Sequence, residues 1–204
     1  MPITIEDFCD QHDACNDGRE WALSTGCTTM RELWQREDWE HDNRLWVFTR
    51  PGVCDNRTLR LFAVWCARQV EHLMDHQRSL DALDVVERHA NGEATDDAME
   101  AAMEAAMEAA RADSWRASGD AMASARAAAW AAGAAAWAAR AACEASGAAA
   151  WAAHGAACAA RDAAMDSARE APRGAVRAAW AAARESSGAA QHARIMEIMP
   201  EFPL

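Results

Sequence analysis

Lysine is absent from this chain of 204 residues, and so is tyrosine. All 20 basic side chains are arginine, set against 32 acidic ones, for a formal net charge of -12. Without a basic excess the chain lacks the footprint of a nucleic-acid binder, and no direct nucleic-acid binding is expected. Proline is scarce, at 5 residues, so few points force a helix to stop. Strand-like alternation of apolar and polar residues is missing over any useful length. Also missing are a nucleophile elbow, a phosphate-binding glycine loop, a kinase motif and a dinucleotide fingerprint. Neither enzymatic activity nor a cofactor is therefore expected. The opening residues MPITIEDFCDQHD carry no basic or apolar leader region. Arg126, Arg140, Glu144, His154 and Arg161 interrupt the Ala-rich stretches, which disfavours a membrane span. The 7 cysteines are odd in number and form no disulfide framework, so a cytoplasmic protein with reduced thiols is expected.

What is present points to an all-α, compact multi-helix bundle with an Ala-rich, Trp-studded C-terminal half. Residues 4–24 read as a first helix opened by Thr4 and Asp7. Thr29 with Glu32 forms a capping box for a second, short one. Leu45, Trp46, Val47 and Phe48 read as a buried segment stopped at Arg50-Pro51-Gly52. Leu59, Phe62, Ala63, Cys66, Val70 and Leu73 follow helical spacing over about 56–76. A further helix covers about 79–90, with Ser79 as N-cap and Asn91-Gly92 as its stop. Thr95 then caps a stretch in which Met99, Met103 and Met107 form a core-facing ridge beside Glu100, Glu104 and Glu108. Residues 121–160 contain 25 Ala, the best helix former. Larger residues recur there at sevens: Trp130, Trp137, Trp151, Cys158 and Met165, with Glu144 as a charged interruption. Gly119, Gly133, Gly147, Gly155, Gly174 and Gly188 are candidate breaks, and Pro172-Arg173-Gly174 marks the clearest boundary. A last helix is expected at about 174–187, with another short piece at Ile195 to Met199. The organisation is then an acidic region at 1–94, an Ala-rich region at 95–199 packed with it as one domain, and a tail at 200–204.

Charge is divided unevenly. Residues 1–100 hold 21 acidic side chains against 10 Arg, whereas 101–204 hold 11 against 10. The N-terminal excess suits a basic partner surface or a plain solvated exterior. Within it, Trp34, Trp39 and Trp46 lie among Glu37, Asp38, Glu40 and Asp42. That mixture can join apolar anchors to electrostatic steering, so Trp34, Glu37, Asp38, Trp39, Glu40 and Asp42 are the candidate protein-binding residues. The alternative role for the tryptophans is core packing. No catalytic residue is assigned. Cys9, His12 and Cys15, at successive intervals of three, carry metal-compatible donors but lack a fourth ligand, and no metal is expected there. His72 and His76 are four apart but lack the glutamate of a zinc-protease helix.

Leu59 to Ala63, Cys66-Ala67-Arg68, Arg78-Ser79, Val86-Glu87-Arg88 and Asn91 to Thr95 together resemble the helical core of immunity proteins of the Imm-5-like family. Cys15 to Trp21 and Trp39 to Gly52 resemble its opening helices. The specific resemblance lies mainly in residues 57–95, where Arg68 and Arg88 match recurring polar positions. It implies an inhibitor that neutralises a toxin, a nuclease or another defence effector; a phage protein blocking a host defence complex is an equal use of such a fold. A nucleic-acid mimic blocking a basic channel, a structural homo-oligomeric scaffold and a small metal-dependent enzyme are the alternatives. The partner expected is a protein or protein complex, and flat Ala-rich surfaces with Trp115, Trp130, Trp137, Trp151 and Trp180 slightly favour a homodimer.

Overall fold

Thr4 accepts a hydrogen bond from the Asp7 amide, and helix α1 (Ile5–Gln11) starts there. The computed structural model describes residues 2–119, 133, 134, 137, 146–172 and 175–204, with side chains for all of these except 113–119, 146–151 and 170. The single helix expected over 4–24 is two. Asp13 turns into the left-handed region at φ 50°, a conformation that few residues other than Asn, Asp and Gly tolerate, and α2 (Asn16–Ser24) begins anew after it. The capping box at Thr29 and Glu32 is formed, and it opens α3 (Met30–Trp34). After a loop come α4 (His41–Phe48) and α5 (Asn56–Arg68), the latter capped by Asp55 accepting from the Thr58 amide.

Helix α5 stops short of residue 76; a 3-10 turn at Glu71–Leu73 takes over. Ser79 is not the N-cap of α6 (Gln77–Ala90) but lies fully buried within it, and His76 occupies the cap. Gly92, at φ 78°, provides the stop. Thr95 caps α7 (Asp96–Gly119), accepting from the Ala98 amide. Its Met99 is buried at 1% exposure and Met103 and Met107 are half-buried, while Glu100, Glu104 and Glu108 face solvent. The Ala-rich half supplies α8 (Ser146–Ser167), which contains both Gly147 and Gly155, and α9 (Val176–Ile198). The two pieces expected after 174 are one continuous helix. Gly188 sits mid-helix where a Cβ would lie 3.0 Å from the Cδ2 of His41, so the glycine that weakens α9 lets it approach α4. Of the sevenfold series, Trp130, Glu144 and the Trp151 side chain fall outside the described residues, as do the Trp115 side chain, Arg173 and Gly174. Trp137 lies over Gly155.

The result is an all-α bundle, without a strand among the described residues. Helix α5 packs on α8, α8 on α9, α6 on α7 and on α5, and α9 on α4. The buried side of α8 is built from small side chains: Ala152, Ala153, Ala156, Ala157, Ala160 and Ala163 are at 3% exposure or less. Leu59, Phe62, Ala63 and Cys66 of α5 are buried as well and supply the bulk that alanine lacks. Gln191 closes the α8–α9 pair by donating to the Ala157 carbonyl at 2.8 Å. No helix among the described residues is long and apolar enough to cross a membrane.

Residues 200–204 return to the core instead of trailing from it. The indole of Trp34 donates to the Met199 carbonyl at 3.0 Å, and Gln35 Nε2 donates to the Pro200 carbonyl at 3.0 Å. Phe202, 1% exposed, meets Phe8 edge-on at 5.8 Å and Trp34 at 5.6 Å. Replacing a buried Phe by Ala costs about 3–5 kcal/mol. Phe202→Ala should lower stability by that order in urea titrations, and an unchanged midpoint would show that this terminal stretch does not close the core.

Candidate functional site

The loop between α3 and α4 is fixed from beneath by a buried cation. Arg44, on α4, is 2% exposed, and burial alone pulls its pKa down. Its guanidinium carbon lies 5.1 Å from the Trp34 ring centroid and 5.2 Å from that of Trp39. The two indoles stand edge to face at 5.6 Å. Arg44 Nη2 donates to the Arg36 carbonyl at 2.6 Å, while Nη1 meets the Met196 sulfur of α9. Trp39 also stacks on Trp21 at 5.9 Å with a 17° interplanar angle. Trp34 and Trp39 are therefore 0% and 5% exposed. They hold the loop down; they are not projecting anchors.

The carboxylates point the other way. Glu37, Asp38 and Glu40 are all exposed. Asp38 accepts a forked pair from Arg36, Nε at 2.8 Å and Nη2 at 2.6 Å, and these bonds lower its pKa. Asp42 differs from its neighbours. It is half-buried and accepts from Arg161 Nη1 of α8 and, at 3.4 Å, from Arg184 Nη2 of α9. Around it opens an outer groove of about 520 Å³, walled on the far side by Trp180, Arg184 and Glu185. His41 reaches Glu185 at 3.4 Å and meets the His192 ring at 5.2 Å. The six residues singled out from sequence thus converge on one loop and its flank, with the tryptophans inward and the acids outward.

Behind this loop lies a second, apolar space of about 440 Å³, whose walls share Trp39, Asp42 and Arg161 with the groove. His154 and Cys158 of α8 form part of its floor. The His154 Nδ1 lies 3.2 Å from Thr49 Oγ1. Burial, with Arg50 and Arg161 adding to it, lowers the pKa of His154 to about 4. Burial raises the Cys158 thiol, and Arg161 opposes only part of that effect. A neutral imidazole beside a protonated thiol is the reverse of the polarity that a thiolate nucleophile needs.

The other clusters noted in sequence are dispersed. Cys9 is buried on α1, His12 caps the end of that helix, and Cys15 is exposed at the start of α2. Among the described residues no group of three or more His, Cys, Asp or Glu is placed to hold a metal ion. His72 lies in the 3-10 turn and His76 at the cap of α6, so the two share no helix. Arg68 ties α5 to α6 through Asp84 at 2.7 Å and Glu87 at 2.9 Å and to the 3-10 turn through Glu71 at 3.1 Å, and these bonds raise its pKa. Arg88 donates to the Glu93 carbonyl. Both arginines thus serve the scaffold. Sequence reasoning assigned no site role to Arg161, Arg184 or His154, and it offered Trp180 only as an anchor for a homodimer. One signal was available: His154, Cys158 and Arg161 at i, i+4 and i+7 form a polar stripe in an Ala run. No family model matches the chain, and no curated protein or solved structure matches it either.

The half-buried His154 makes stability depend on pH in a defined direction. Its folded pKa, about 4, lies below the ordinary 6.5, so the unfolded chain takes up this proton first as pH falls. Its contribution is complete above pH 6.5, declines toward pH 4 and is then level. His154→Gln should remove up to one proton from the slope of stability against pH in that window. His12 and His192, also lowered chiefly by burial, leave a residual slope. Urea midpoints measured across the window check this, and an unaltered slope would contradict a neutral His154 with a lowered pKa.

Proposed function

We propose that the protein is an inhibitory binding protein that engages a basic surface of a macromolecular partner through Glu37 and Glu40. The observation that carries this is the mounting of those carboxylates: two exposed acids on a loop whose Arg36 and Trp39, with Trp34 at the end of α3, are held by Arg44, while Asp38 between them is paired with Arg36. An acidic loop already fixed before contact loses little conformational freedom on binding and steers a cationic partner toward it. Asp42, compensated by Arg161 and Arg184, belongs to the support and not to the contact charge. The partner class is a protein such as a toxin, nuclease or other defence effector, the use to which immunity-like helical proteins are put.

A nucleic-acid mimic is the second reading, favoured by a separate feature. Glu100, Glu104 and Glu108 recur along the exposed side of α7, about 6 Å apart by helical rise. The two readings separate by substitution. Capture of a partner from the native host by the wild-type protein should be lost or weakened about tenfold by the combined Glu37→Gln and Glu40→Gln change, with a shallower salt dependence. Glu100→Gln with Glu104→Gln should leave it intact. The opposite pattern, joined with displacement of the partner by duplex DNA, would transfer the function to α7. Equal binding by all variants would reject both surfaces.

A further inference from the structure

The outer groove joins the acidic loop to a helix that the loop alone does not bring into play. Its volume, about 520 Å³, leaves room for a partner side chain. Glu37 and Glu40 line it from the loop before α4, Trp180 and Glu185 from α9. Trp180 is only half-buried, and with the exposed Ala181 beside it α9 supplies apolar surface next to charge. An open indole at the edge of a charged groove is the composition of a contact centre in a protein interface.

Charge sets what can enter. Five carboxylates line the groove against two arginines, Arg161 and Arg184. Both arginines converge on Asp42, and Asp38 is paired with Arg36, which lies outside the lining. Glu37 and Glu40 are left exposed, and Glu185, equally open, has His41 as its neighbour at 3.4 Å. The balance thus stays negative after every guanidinium is counted, which repels an anion and draws in a cation. Asp42 shows the kind of cation that suits these walls, because two guanidinium groups of the chain itself meet there. A guanidinium is flat enough to lie on an indole while its five N–H donors reach more than one carboxylate; an ammonium has neither the plane nor the fork. We propose that this groove receives an arginine side chain of the basic partner, with its guanidinium against Trp180 and between Glu185 of α9 and the loop carboxylates Glu37 and Glu40. This rests on the loop being the partner surface and adds α9 as the element that selects the residue recognised.

The probe is the peptide acetyl-Gly-Ser-Gly-Arg-Gly-Ser-Gly-amide, added to the full-length protein at low salt. Two versions control for it: one with citrulline, which keeps the shape and loses the charge, and one with lysine, which keeps the charge and loses the plane. Affinity is read from the peptide's own NMR signals. Position is read by fluorine NMR of protein labelled with 5-fluorotryptophan, the Trp180 resonance being assigned by its loss in Trp180→Phe. The arginine peptide should bind saturably and move the Trp180 signal, the lysine peptide should bind at least about threefold more weakly, and the citrulline peptide should not bind. Glu185→Gln and Trp180→Leu, both at solvent-open positions, should each weaken the arginine peptide about threefold while keeping the helical spectrum. Absence of saturable binding, a stationary Trp180 signal, equal affinity for the lysine or citrulline peptide, or indifference to Glu185→Gln would each overturn the proposal. The two readings fail separately. Partner capture weakened by Glu37→Gln with Glu40→Gln but untouched by Glu185→Gln and Trp180→Leu rejects the groove and keeps the loop. Arginine-selective binding at Trp180, with capture indifferent to the loop changes, keeps the arginine site and rejects the loop as the partner surface.

Discussion

A buried arginine without a counter-ion among the described residues organises this protein. Desolvating a guanidinium is expensive, and only good geometry makes it tolerable. Arg44 finds that geometry in two indole faces, one backbone carbonyl and a thioether sulfur. These partners come from three pieces of chain: Trp34 from α3, Arg36 and Trp39 from the loop, Met196 from α9. Trp34 in turn donates to Met199 and packs on Phe202, so the C-terminus is registered through the same cluster. Arginine suits this role better than lysine because its planar, weakly hydrated head stacks on rings while still donating in a fork. The absence of lysine from the whole chain agrees with a fold that uses cations as packing elements.

The Ala-rich half follows a complementary logic. Alanine gives helix propensity but little apolar area, so α8 gains its stability from close approach to α5 more than from large side chains. Close approach leaves few places for charge, and the charges that do occur are spent on cross-links. Arg161 and Arg184 converge on Asp42, joining α8 and α9 to the acidic half. The balance of charge in residues 101–204 thus has a structural use. Arg161 and Arg184 both compensate one carboxylate of the first half, Asp42, while Glu37 and Glu40 face solvent.

The local rules were legible in sequence where a short-range interaction decides the outcome. The Thr29–Glu32 box, the Thr95 cap, the Gly92 stop and the Met99 ridge all depend on residues within one or two turns. Long-range partners were not legible. Asp42 meets Arg161 and Arg184 at separations of 119 and 142 residues, and no spacing rule reports such a pairing. The orientation of Trp34 and Trp39 failed for a related reason: a tryptophan in an acidic loop looks the same whether it anchors inward or outward, and Arg44, which decides the matter, lies on the following helix. Gly188 misled because propensity reads it as a break, while tertiary contact with His41 makes its lack of a side chain useful inside α9.

Trp39 is where these strands of the structure meet. One face helps seat Arg44, the ring stacks on Trp21, and the residue lines both the outer groove and the inner cavity. Only its N–H is left without a partner. A well-packed core matches its buried donors, and an unmatched one in the most heavily used side chain of the loop calls for a physical account. Rotating the indole to find an acceptor would give up the stacking on Trp21 or the contact with Arg44. The donor is thus held in place by the packing of its ring against Trp21 and Arg44.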